Sequence, residues 1–106
     1  MFPEGAEIDL PPRVRKDVDR LVGDRDRARD VKLALTVGTQ ASEEEDHATA
    51  RSTLLWAKHL APRSAVVREA LGIALYRAGD LRGALPELQA YRRLSGTDDQ
   101  NHLLAD

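Results

Sequence analysis

Ala65-Val66-Val67-Arg68-Glu69-Ala70-Leu71-Gly72-Ile73-Ala74-Leu75-Tyr76-Arg77-Ala78-Gly79-Asp80-Leu81-Arg82-Gly83-Ala84-Leu85-Pro86-Glu87-Leu88 is the stretch that decides the fold of this chain. Val67, Ala70, Leu71, Ala74, Leu75 and Ala78 recur at helical spacing and predict one buried stripe. Ser64 stands before them as an N-cap, and Gly79 after them as a C-terminal stop. Asp80 then caps a second helix that is expected to bury Leu81, Ala84, Leu85, Leu88, Tyr91 and Leu94. Pro86 lies several residues inside that helix and removes the donor to the Arg82 carbonyl. Either a kink or a helix start near Gly83 is expected there.

The same phrase stands once more, upstream. Gly38, Ala50, Leu54, Ala57 and Pro62 recur as Gly72, Ala84, Leu88, Tyr91 and Gly96, all at one constant offset. Repeats of about 34 residues build stacked helical hairpins, and that is the architecture the offset predicts. Before the first copy, Pro11 and Pro12 suit a helix entry, with Val14, Val18, Leu21 and Val22 as its stripe and Gly23 at its end. Asp24 is the expected N-cap of the next helix, whose first turns carry the exposed pairs Asp26–Arg29 and Arg27–Asp30. The helix after that is capped either by a Ser42-Glu43-Glu44-Glu45 box or by Asp46, and it runs to about Leu60, where Pro62 closes it. Residues 98–104 read as a final short turn of helix.

Leu71-Gly72, Gly79-Asp80, Ala84 and Leu88 stand at the offsets of a tetratricopeptide repeat, which residues 65–98 resemble. Sel1-like repeats and other helical-hairpin arrays share this Ala/Gly logic. Residues 31–64 are similar to a degenerate copy, with Glu45-Asp46 in place of the Gly-Asp turn; in the second copy Arg68 takes an aromatic position of the family. The resemblance implies an all-α chain, a short α-solenoid of helix-turn-helix hairpins with an N-terminal capping helix. Residues 1–10 would be a loose arm, 11–30 the N-terminal helix and the start of the next, and 99–106 the start of an incomplete helix. Gly38, Ala50, Gly72 and Ala84 would let the paired helices touch. Such arrays normally have about three units with polar ends. The chain is therefore read either as the N-terminal piece of a longer array or as an open end that packs on a second copy.

The remaining numbers exclude more than they assign. One hundred and six residues make one small domain. There is no cysteine, hence no disulfide and no thiolate metal site. No apolar run approaches the ~20 residues of a membrane span, and Met1–Leu10 carries three acids and no Lys or Arg, unlike a secretory signal. A cytoplasmic protein is expected. Arg outnumbers Lys thirteen to three, which points to a GC-rich bacterial genome. Residues 60–95 carry six Arg against Glu69, Asp80 and Glu87, too small an excess for a nucleic-acid footprint.

Chemistry finds little support. No phosphate loop is present. His47 follows Glu43 by four residues, but no second close ligand pair accompanies it, so no metal and no cofactor is expected. Ser42 and Ser64 are accounted for as caps, and no catalytic residue is assigned.

The resemblance instead implies a partner-binding groove on the outer faces of the first helices. It comprises Lys32, Leu35, Thr39 and Ser42 in the first unit and Val66, Glu69, Ile73, Tyr76 and Arg77 in the second. Glu69 and Ile73 stand where the family's carboxylate-gripping variant needs Lys and Asn, so a peptide C-terminus is not the expected ligand. An amphipathic helix or extended segment of another protein is. The competing reading packs these apolar side chains on the N-terminal helix. Trp56, beside the Leu54–Ala57 line, lies either against that helix or exposed as an anchor. The function expected is that of a non-enzymatic scaffold or adaptor, or else of a homo-oligomerisation segment.

Overall fold

Asp24, Asp46, Ser64 and Asp80 each begin a helix, and together with two prolines they lay out the architecture. The computed structural model describes residues 5–105, with side chains over residues 5–96. It contains α1 (Pro12–Leu21), α2 (Arg25–Glu43), α3 (His47–Leu60), α4 (Ala65–Arg77) and α5 (Leu81–Ala105), and no strand among the described residues. Pro12 takes the first helical position of α1. The Asp24 carboxylate accepts the N–H groups of Asp26 at 2.9 Å and Arg27 at 3.2 Å. Ser64 accepts from Val67 N–H at 3.2 Å, and Asp80 from Gly83 N–H at 2.9 Å. Each cap satisfies donors that would otherwise be orphaned, worth about 1 kcal/mol apiece.

Between the two possible caps of α3, the structure selects Asp46, which accepts from Thr49 N–H at 3.3 Å. Ser42 belongs to the last turn of α2 and is buried there. This places a tight reversal at residues 44–46, and its geometry matches the one at 78–80. In the first, Asp46 N–H donates to the Ala41 carbonyl at 2.8 Å and Glu45 N–H to Ser42 at 3.2 Å. In the second, Asp80 N–H donates to Leu75 at 2.9 Å and Gly79 N–H to Tyr76 at 3.0 Å. Both are Schellman endings, and every participant is shifted by the offset that carries Gly38 onto Gly72. The left-handed residue is Gly79 at φ +85° in one and Glu45 at φ +63° in the other.

The turn that reads as degenerate in sequence thus keeps its shape, with a side chain strained where glycine is free. Glu45→Gly is expected to stabilise the chain by about 0.5–1 kcal/mol, since relief of the left-handed strain exceeds the entropy glycine adds to the unfolded chain. A thermal midpoint no higher than the parent's would contradict the assignment.

Packing follows the same repeat. α2 packs on α3, α4 on α5, and α3 with α2 on α4, while α1 lies against α2. A Cβ built on Gly38 would stand 2.5 Å from Leu54 Cγ, and one on Gly72 2.6 Å from Leu88 Cδ2. The two glycines and Ala50 and Ala84 are buried, so each pair meets closely through the absence of side chains. Val18, Val31, Leu35, Leu54, Val67 and Leu71 are the largest apolar side chains that are fully buried.

Several expected details are corrected. Leu21, Ala78, Leu81 and Leu85 are exposed, because the buried arc of α5 runs through Ala84, Glu87 and Ala90 rather than through the Leu81–Leu85 side. α5 begins at Leu81, passes through Pro86 and continues to Ala105, so the expected final turn is part of α5. Neither Asp26–Arg29 nor Arg27–Asp30 is an ion pair; Arg20–Asp17 at 2.7 Å and Lys32–Asp19 at 2.8 Å are. Over its described residues the N-terminal arm makes one contact with α2, in which Asp9 N–H donates to Thr36 Oγ1 at 3.0 Å.

Candidate interaction surface

The groove residues do not form one stripe. Leu35 is 1% exposed and belongs to the core, because α2 is packed on by α1, α3 and α4 and so buries a wider apolar arc than a two-sided helix would. It is therefore removed from the candidate surface. Lys32 is half-buried and its ammonium is engaged by Asp19 of α1 at 2.8 Å. Thr39 donates its hydroxyl to the Leu35 carbonyl of its own helix at 2.7 Å.

The others divide between two depressions. Val66 and Glu69 line a cleft of about 500 Å³ with Arg13, Val14, Asp17 and Leu21 of α1 and Tyr91 and Leu94 of α5. Its lining mixes apolar side chains with both signs of charge. This cleft is not legible in the sequence, although the seven-residue spacing of Val14 and Leu21 on α1 is a signal pointing to it. The N-terminal helix does therefore face part of the candidate groove. Thr39, Ile73 and Arg77 instead line a crevice of about 180 Å³ between α2 and α4, with Ser42, Glu43 and Ala70. The Ser42 hydroxyl there is buried and without a hydrogen-bond partner among the described residues. Ile73, Tyr76 and Arg77 are exposed.

A buried ionic joint holds the surface from behind. Glu87 of α5 is 6% exposed, and its carboxylate accepts from Lys58 Nζ of α3 at 2.6 Å and Arg68 of α4 at 2.8 Å. Arg68 also donates from Nε to the Pro62 carbonyl at 3.0 Å. Burial raises the Glu87 pKa, but the hydrogen bonds from Lys58 and Arg68, with their charges, outweigh it and hold the carboxyl below its ordinary value. Glu87 is not among the residues expected from the sequence to point inward; its place three residues after Ala84 is the available signal, and its two basic partners on other helices leave none.

Ser52 and Ser95 donate to the carbonyls of Thr49 and Tyr91, and no serine meets a histidine among the described residues. No three metal-ligating side chains cluster among those residues, and no helix there is long and apolar enough to cross a membrane. Trp56 is half-buried against the core. No protein-family model matches the sequence, and no curated protein or solved structure matches it either.

Proposed function

We propose that this chain is a short α-solenoid of tetratricopeptide-like hairpins, a cytoplasmic scaffold or adaptor that holds another protein or peptide without catalysing a reaction. The observation that carries the reading is the repetition, at one constant offset, of one turn and one close helix contact: Glu45 and Gly79 at the left-handed position, Gly38 on Leu54 and Gly72 on Leu88. Repetition of a structural unit generates extended surfaces rather than a single enclosed pocket. The exposure of Ile73, Tyr76 and Arg77, with Thr39 half-buried across the crevice from Ile73, supports a partner surface on the first helices of each pair, and Val66 and Glu69 extend it into the separate cleft facing α1. The modest positive balance of residues 60–95 favours a protein partner over nucleic acid.

Homo-oligomerisation is the second reading, favoured by the exposed leucines Leu81 and Leu85 on α5. Pull-down from a bacterial lysate with the parent and with Ile73→Asp separates the outcomes. A protein retained by the parent and lost from the folded variant supports the surface. Identical captures by both would refute it, and sedimentation of the parent as a stable oligomer with no other protein bound would favour the second reading.

A further inference from the structure

Shifting α2 and α3 along the chain by one repeat lays them on α4 and α5, and the shift exposes a difference. In the first pair, α4 closes the face: Ser42 is 5% exposed, and Leu54 and Ala57 are completely covered. Lys58 at that face is paired with Glu87 of the following helix pair at 2.6 Å. Their counterparts in the second pair are Tyr76, Leu88, Tyr91 and Arg92. Tyr76 is 63% exposed, Leu88 and Tyr91 are half-exposed, and Arg92 projects into solvent. Tyrosines thus stand where the covered face has Ser42 and Ala57.

We infer that this α4–α5 face is a docking site for a helical hairpin of a partner protein, its first helix apolar toward Tyr76 and Tyr91 and its second bearing a carboxylate for Arg92. The inference rests on the interaction reading above and adds to it the face and the chemistry. The occupant follows from the closed interface one repeat earlier, where α4 covers the face and Glu87 of α5, the second helix of the covering pair, answers Lys58. Arg92 keeps the positive charge of Lys58, so its complement is again an acid. A second copy is disfavoured on two grounds. Its matching surface surrounds Thr36, the counterpart of Ala70, and that surface is occupied by the N-terminal arm through Asp9. Pairing two such faces with each other would bring Arg77 and Arg92 of both copies into one contact, a like-charge arrangement.

The test uses the full chain and a fluorescein-labelled peptide of its own residues 65–96, which carries Glu87 and reproduces the natural cover of the first pair. Fluorescence anisotropy is expected to show saturable binding, weakened about tenfold or more by Arg92→Glu and retained by Arg92→Lys. Tyr76→Asp is expected to remove it. Both positions are exposed at a helix surface, so circular dichroism of each variant should match the parent. Absence of saturation at ~1 mM peptide, or equal binding by parent and Arg92→Glu, overturns the assignment. So does a dimer of the parent that Tyr76→Asp dissociates. Failure with the peptide while the parent still captures an Ile73-dependent lysate partner refutes this face alone and leaves the interaction reading standing.

Discussion

Gly72→Leu is expected to destabilise the chain by about 2–3 kcal/mol, with a fall in thermal midpoint of roughly 10 °C or more. The first added carbon already meets Leu88 at 2.6 Å from Cδ2 and 2.8 Å from Cγ, and the Leu88 backbone nitrogen lies 3.4 Å away. Leu88 can turn aside for a single methyl, which also gains helix propensity over glycine, so Gly72→Ala should cost much less. A leucine offers no such escape: α4 and α5 must separate, and the contact that defines the second pair opens. The equivalent change at Gly38, against Leu54, should cost at least as much because Leu54 is fully buried. Thermal melts followed by circular dichroism check both. Parent-like midpoints would mean that the helices are not paired in this register.

Glu87→Ala is the second large effect, a loss of about 2–3 kcal/mol. The Glu87 carboxylate joins three helices, and removing it leaves Lys58 and Arg68 partly desolvated with no acid between them. The Lys58 side chain is close to one-third exposed, which screens part of that cost and places the expectation below the range for a fully buried pair.

The pH dependence carries the same signature. Because the folded state holds the Glu87 pKa below its ordinary value, the ionised group stabilises the fold above the ordinary carboxylate pKa of about 4.3. That contribution is lost as pH falls through the folded value. Glu87→Gln should therefore be less stable than the parent at neutral pH, with the gap narrowing on acidification. Chemical denaturation at neutral and acid pH measures it; a gap that stayed constant would show that the joint is not ionic.

The Gly72 and Glu87 expectations differ in how far the sequence makes them visible. Gly72 is marked by its own recurrence at Gly38 and by Ala84, because a close helix contact needs small residues at fixed offsets along the chain. Glu87, in the sequence, is one acid among the charges of its region. Its meaning depends on Lys58 and Arg68, 29 and 19 residues away, and nothing in local spacing brings them together. Glu45 misleads for the opposite reason. The absence of glycine suggests a lapsed turn, yet the hydrogen-bonded Schellman ending forms with Glu45 strained into the left-handed region. Turn geometry is enforced by the helices on either side.

The sequence by itself determined most of the helices and the caps of α2, α4 and α5, because these depend on neighbours within a few turns: Asp24, Ser64 and Asp80 reach donors two or three residues on, and Gly79 acts at its own φ. The tertiary structure alone decided which faces those helices press against each other. It buried Leu35 on a helix packed by three others, turned Leu81 and Leu85 outward, brought Asp9 of the N-terminal arm onto Thr36, and opened a cleft among α1, α4 and α5. Periodicity fixes that a helix has an apolar side, whereas the width and rotation of the side that is covered depend on how many other helices reach it.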